Sequence, residues 1–160
     1  MSAPLYFDQT PVLGWRAWTL VETAEGPELR SVVYAHPWPA RRPLRMECEP
    51  GGCLGARWPT QPHSCGIHAF KVRVSAVAFP SMWEARRFPQ FVAPEQYVVG
   101  QVSLWGRVVE HERGYRGELA YPYALLLAPE QRRFAAPLAD RYGVEALIDP
   151  HALHLPAPDA

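Results

Sequence analysis

Short runs of β-branched and aromatic residues recur along the chain and predict a domain built mainly from strands. Residues 15–21 and 29–34 are two such runs, and the segment 23–27 between them contains a glycine. Two runs with a glycine-containing connection are typical of a β-hairpin. Residues 97–111 form the clearest predicted strand, because apolar and polar positions alternate over parts of their length.

The chain beyond residue 111 continues this strand pattern. Residues 112–114 have the composition of a turn, and residues 115–121 are predicted to form a strand. Pro122 is expected to end that strand, because proline has no backbone N–H to donate to a sheet. A further short strand is predicted at residues 123–127.

Two segments have features of helices. Residues 69–79 are ambiguous, since their valines favour a strand, and a short helix is predicted to begin at Pro80. Residues 130–142 predict a helix that is interrupted near Pro137, and Gly143 stands where a helix C-cap is expected. Together these elements predict an α+β fold that is mainly antiparallel β.

The length and composition fit one folded domain. The chain has 160 residues, of which 48% are hydrophobic, and this suits a single core and argues against general disorder. We expect a single small domain over residues 1–150 and a proline-rich C-terminal tail over residues 151–160. The spacing of valine, leucine and glycine at residues 99–108 also resembles strands of PUA-like and other small β-barrel modules. This is a likeness of fold that says little about function.

Charge and hydropathy narrow the expected partners. The 16 basic and 16 acidic residues cancel, so nucleic acid is a possible partner that the net charge does not support. The apolar stretch at residues 124–129 is far shorter than the roughly 20 residues that span a bilayer. Residues 1–15 lack the basic and apolar regions of a secretory signal. We therefore expect a cytoplasmic domain with no membrane partner.

Residues 37–62 are rich in proline and glycine and contain no periodic segment. Such long connections are uncommon in compact domains unless they are functional, disordered or held by a further interaction. A candidate for that interaction is a metal ion bound by the three cysteines of the chain and one histidine. These four residues are Cys48, Cys53, His63 and Cys65.

Three thiolates and one imidazole suit the tetrahedral coordination of a structural zinc ion. Metal binding would also offset the entropy that is lost when the loop becomes ordered. An odd number of cysteines in a cytosolic chain weighs against disulfide bonds. The sequence therefore predicts Zn²⁺ as a structural cofactor and a zinc-stabilised loop.

Three alternatives stay open for this cluster. His68 follows Cys65 closely and could replace His63 as the fourth ligand. The zinc could instead be catalytic, with an open coordination position in place of one protein ligand. The four residues could also be three ordinary cysteines and a surface histidine.

Several segments resemble an uncharacterised family of small proteins from GC-rich bacteria. The matching residues are Cys48 and Cys53, residues 63–69, Leu104-Trp105-Gly106, Glu110-His111, Gly114-Tyr115-Arg116 and Ala120-Tyr121-Pro122. The resemblance spans roughly residues 15–145 and implies no activity. The family's histidine is Cys53 here and a family cysteine is His63, an exchange that a shared tetrahedral zinc site permits.

A second polar group surrounds the predicted turn at residues 112–114 and offers a candidate active site. Its members are Glu110, His111, Tyr115, Arg116 and Glu118. Pairing across the turn would bring Arg116 or Glu118 near His111. A carboxylate beside the imidazole would raise its pKa, as a general base requires. The alternative is a satisfied histidine at a strand edge with surface ion pairs, and in that case His111→Ala leaves the fold intact.

We expect a small zinc-stabilised binding or accessory domain whose partner is an unknown protein or small-molecule ligand. No nucleophile elbow, P-loop, dinucleotide-binding motif or His-Glu-x-x-His motif occurs in the sequence. The alternative function is a hydrolase or nucleotide-modifying enzyme that uses the cluster around His111. The six tryptophans are expected mostly in the core, and an aromatic recognition surface is the alternative.

Overall fold

The computed structural model describes residues 5–6, 10–33, 35–47, 65–87 and 97–154. Within them the chain forms a mixed α+β fold with mostly antiparallel strands, which confirms the predicted class. The strands are β1 (Leu5–Tyr6), β2 (Val12–Thr23), β3 (Gly26–Ser31), β4 (Leu44–Arg45), β5 (Ile67–Phe70), β6 (Tyr97–Glu110), β7 (Gly114–Leu127) and β8 (Glu145–Ile148). The helices are α1 (Arg73–Arg87), a 3₁₀ helix (Pro129–Phe134) and α2 (Ala135–Tyr142).

Four of these strands close into a ring. Strand β6 pairs with β2 on one side and with β7 on the other, and β7 pairs in turn with β5. Strand β5 returns to β2 through one register pair, Trp15 opposite Phe70. The ring is therefore a small closed barrel, in which the pairing of β5 with β2 is limited to this one position. The predicted first hairpin is confirmed, since β2 pairs with β3 and Thr23 lies opposite Gly26.

The main core contains buried side chains from the strands and from α2. Trp18 and Trp38 pack edge to face with their ring centroids 5.5 Å apart, and both are almost fully buried, as expected for tryptophans. The hydroxyl of Tyr142 accepts a hydrogen bond from the Leu29 amide at 2.9 Å and donates to the Trp38 carbonyl at 3.1 Å. Helix α2 is thereby fixed to β3 and to the segment that follows it.

A second, smaller cluster lies between α1 and the barrel. Ala76 of α1 is fully buried there with Ala17 and Val99 of the sheet. The prediction that a helix begins at Pro80 is wrong, because α1 begins at Arg73 and continues through the proline. Packing on the barrel compensates for the backbone hydrogen bond that a proline removes from a helix.

The prediction that Pro122 ends a strand is also wrong. Strand β7 passes through Pro122 because the register with β6 shifts there: Gln101 lies opposite Ala124, and Val102 lies opposite Pro122. Tyr123 is the extra residue of a β-bulge, a position where a sheet tolerates proline. The bulge leaves Tyr123 54% exposed.

The predicted second helix and its cap are confirmed. The helix changes from 3₁₀ to α at Ala135, and Pro137 lies in the first turn of α2, where a missing N–H breaks no hydrogen bond. Gly143 takes a left-handed conformation with φ of 67°, and its amide donates to the Ala139 carbonyl at 2.8 Å. Of the predicted tail, residues 151–154 are described, and Ala152 is fully buried.

Candidate functional site

Strands β4 and β5 lie one after the other along the same edge of β7. Leu44 and Arg45 lie opposite Ala120 and Leu119, and the amide of Met46 then donates to the carbonyl of Glu118 at 2.9 Å. The next residue of β7, Gly117, lies opposite Ile67. The two short strands are therefore two halves of one strand position.

Residues 47–66 connect these two halves. The residue before this segment bonds to Glu118 of β7, and the residue after it lies opposite the adjacent Gly117. This segment contains all four predicted zinc ligands. Cys65 is described and partly exposed, whereas Cys48, Cys53 and His63 lie outside the described residues. In the part of the chain that the structure describes, no group of three or more His, Cys, Asp or Glu residues is placed to hold a metal ion.

Arg116 connects Cys65 to the candidate active site. Its side chain is buried on β7, with the residue only 3% exposed. Its Nη1 donates to the carbonyl of Cys65 at 3.2 Å, and its Nε donates to Nε2 of His111 at 2.7 Å. Burial lowers the pKa of Arg116 below its ordinary value.

His111 follows the last residue of β6 in the turn that leads to β7. Its amide donates to the Gly114 carbonyl at 2.7 Å, which closes the turn. Burial lowers the pKa of His111, and the positive charges of Arg116 and Lys71 lower it further. The imidazole therefore accepts from Arg116 as a neutral ring, and the expectation of a raised pKa is wrong.

The carboxylates of the predicted cluster pair with cations instead of with His111. Glu118 accepts from Arg107 at 2.9 Å and lies 3.3 Å from Arg45. Glu110 lies 2.5 Å from Lys71, whose ammonium is 5.6 Å from the centre of the Tyr115 ring. Of the two residues predicted to approach His111, the structure brings Arg116 to it.

His68, the alternative zinc ligand, lies on β5 opposite Arg116 and is exposed. Its carbonyl accepts a hydrogen bond from Nη1 of Arg16 at 2.6 Å. Nη2 of Arg16 donates to the Ser31 hydroxyl at 3.1 Å, and its guanidinium lies 5.0 Å from the centre of the Trp38 ring. Burial lowers the pKa of Arg16 to about 10, so it stays charged at neutral pH.

Neither Arg16 nor Lys71 was predicted from the sequence to belong to a functional site. Arg16 lies in an apolar run, and only the pairing of β2 with β3 and β5 gives its guanidinium these acceptors. Lys71 is the only lysine in the chain, and this rarity is the one feature of the sequence that could have pointed to it. Its contact with Glu110 depends on how β5 and β6 both pair with β7.

The fold and this site define a small closed β-barrel in which one strand position beside β7 is divided between β4 and β5 by a cysteine-containing segment. Among the described residues, no helix is long and apolar enough to cross a membrane. No family model, no curated protein and no solved structure matches the chain. The resemblance to a family from GC-rich bacteria therefore stays a prediction.

Proposed function

We propose that the chain is a zinc-stabilised binding module of the cytoplasm. One structural Zn²⁺ would be held by Cys48, Cys53, His63 and Cys65 and would stabilise the segment 47–66. The observation that supports this proposal is the pairing of Met46 and Ile67 with adjacent residues of β7. Two of the four ligands, Cys48 and Cys65, follow and precede these anchored residues by two positions in the sequence.

The sheet pairing lowers the entropic cost of assembling such a site. Closing a flexible loop costs entropy, but here β7 already holds both ends of the segment at neighbouring positions. The carbonyl of Cys65 is also fixed by the buried Arg116, so one ligand residue is attached to the barrel. A zinc ion with four protein ligands has no open position for substrate, which is why the proposed role is structural.

A binding module agrees better with the polar cluster than an enzyme does. Arg116 occupies Nε2 of His111, and Glu110 and Glu118 pair with Lys71 and arginines. A hydrolase or nucleotide-modifying enzyme remains the alternative proposal. It would gain support if the protein turned over a nucleotide or phosphoester and His111→Gln lost that turnover without loss of the fold.

The test is the zinc content of tag-free protein produced without added metal. We expect about one zinc ion per chain, with release of the metal from Cys48→Ser, Cys53→Ser, Cys65→Ser and His63→Ala, because a structural site needs all four ligands. His68→Ala is the matched control, since it removes an exposed imidazole close to Cys65. Elemental analysis measures the stoichiometry.

A second measurement tests whether the metal stabilises the sheet next to the segment 47–66. Removal of zinc by a chelator should speed hydrogen exchange of the Met46 amide, which bonds to Glu118, and leave the buried Val98 amide protected. A zinc content near zero in the natural sequence would end the proposal. Full zinc content in His63→Ala together with loss of zinc in His68→Ala would show that the fourth ligand is His68 and not His63.

A further inference from the structure

A groove of about 660 Å³ opens beside the bulge of β6 and β7. Three aromatic residues, Trp105, Tyr121 and Tyr123, line it together with proline and small residues. Glu145, the first residue of β8, also lines the groove and is exposed. Among the described residues that form this lining, Glu145 is the one acidic or basic residue.

We propose that this groove binds the quaternary ammonium group of a small molecule. Aromatic rings attract cations through the negative potential of their faces, and recognition of methylated ammonium groups commonly uses several rings together. A carboxylate in the same lining complements the positive charge. A quaternary ammonium has no N–H to be satisfied, so a lining that is mostly aromatic and apolar suits it better than a primary ammonium.

The irregularities of the sheet support this assignment independently of composition. The two register shifts between β6 and β7 occur at Gln101/Val102 and at Trp105/Val108. One makes Tyr123 the extra residue of the bulge, and the other begins directly after Trp105. Bulges commonly redirect side chains next to functional sites, and here both adjoin aromatic residues of one groove.

The third aromatic residue is held in place by hydrogen bonds. The hydroxyl of Tyr121 donates to the Tyr142 carbonyl at 2.5 Å and accepts from the Arg41 amide at 2.8 Å. The guanidinium of Arg41 approaches Gly143, but it donates to the Asp140 carbonyl and does not belong to the lining. A fixed ring lowers the entropic cost of binding.

This inference gives a ligand class to the binding module proposed above and rests on that part of the proposal, but not on zinc. The experiment titrates the full chain with choline and with its neutral isostere 3,3-dimethyl-1-butanol, and follows the indole signal of Trp105 by NMR. We expect choline to bind at least about fivefold more tightly than the isostere, since the isostere lacks the charge. A trimethyllysine peptide serves as a second source of the same group.

Variants then assign the site. Tyr123→Leu should weaken choline binding by about fivefold or more, and Glu145→Gln by a smaller factor. Matched controls at exposed positions outside the lining are Met82→Ala and Glu22→Gln, which should bind choline as the natural sequence does. All four substitutions are at exposed residues, and circular dichroism is used to check that each variant is folded.

Three results would overturn the inference: no binding of choline, equal binding of choline and its isostere, or binding that neither Tyr123→Leu nor Glu145→Gln weakens. Tighter binding of the trimethyllysine peptide than of choline would show that the ligand is a methylated protein and not a small molecule. Zinc content is measured on the same samples. A chain that holds zinc and binds no ammonium ion therefore loses this inference alone, whereas binding without zinc removes only the metal from the proposed function.

Discussion

Arg116 joins parts of the chain that are distant in sequence. From β7 its guanidinium bonds to His111 in the preceding turn and to the carbonyl of Cys65 before β5. A buried guanidinium is stable only where such acceptors replace the lost water. The neutral imidazole of His111 is one of them, and protonation would convert this acceptor into a cation beside two others, Arg116 and Lys71.

The first prediction concerns pH. Because the pKa of His111 in the fold is lowered below the ordinary value of 6.5, the unfolded chain binds more protons between these two values. The free energy of unfolding should therefore fall as the pH falls below about 6.5. His111→Gln keeps an acceptor for Arg116 and does not titrate, so it should remove most of this dependence.

Urea unfolding at pH 7.5 and at pH 5 measures the effect. Met82→Ala is the control, because it changes an exposed side chain of α1 and removes no titratable group, so the pH dependence should stay as in the natural sequence. At pH 7.5, His111→Ala should cost about 1.5–3 kcal/mol, the value for a lost hydrogen bond to a charged group. Identical pH dependence in His111→Gln and the natural sequence would show that the contact with Arg116 does not govern the titration.

The chemistry around His111 was only partly predictable from the sequence. The turn at residues 112–114 follows from local composition, and it correctly brings Arg116 back toward His111. The partner of Glu118 depends on the bulge after Trp105, which places Arg107 beside it. Since a bulge is a property of two paired strands, the residues of one strand do not reveal it.

At the scale of elements, Gly114 determines how closely β5 approaches β7. A Cβ built on Gly114 would lie 2.1 Å from the carbonyl oxygen of Ala69, and this oxygen belongs to the backbone of the neighbouring strand. We predict that Gly114→Ala destabilises the fold by about 2–4 kcal/mol, because strands β5 and β7 must separate. Thermal or urea unfolding measures the loss.

Gly26→Ala is the comparison for this prediction. A Cβ at Gly26 meets open space, and only its positive φ of 110° opposes the change. Its expected cost of about 1–2 kcal/mol is therefore smaller. A Gly114→Ala variant as stable as the natural sequence would mean that β5 is not held at this distance from β7.

The elements themselves were predicted unevenly, for reasons that differ between them. Strand β6 was predicted because it is long and its apolar and polar positions alternate over parts of its length. Strand β4 has two residues and no pattern of its own, so only its pairing with β7 defines it. Helix α1 was misplaced because Pro80 is a strong local signal for a helix start, whereas burial of Ala76 against the barrel is a property of the fold.

At the scale of the molecule, Tyr142 connects the C-terminal helix to the barrel. Its buried hydroxyl satisfies the Leu29 amide and donates to the Trp38 carbonyl, and burial raises its pKa above the ordinary value. We predict that Tyr142→Phe lowers the free energy of unfolding by about 1–3 kcal/mol, since it leaves a buried N–H without an acceptor. Urea unfolding measures this loss.

Hydrogen exchange gives a local measure of the same change. Exchange of the Leu29 amide should become faster in Tyr142→Phe, whereas Tyr123→Phe, which removes a hydroxyl from an exposed ring, should change neither stability nor exchange. Unchanged protection of Leu29 in Tyr142→Phe would show that another group accepts from this amide.

The divided strand at the edge of β7 has a consequence for how this protein can change. If Met46 were joined directly to Ile67, the same residues of β4 and β5 would pair with β7 in the same order as they do now. The register of the closed ring is therefore independent of the length of the connection between these residues, and lengthening a loop whose ends are fixed costs little free energy. Insertions, deletions and grafted segments that keep Cys65, whose carbonyl accepts from Arg116, can be exchanged at this point without a change in the sheet, which makes it the natural place for the protein to acquire new recognition.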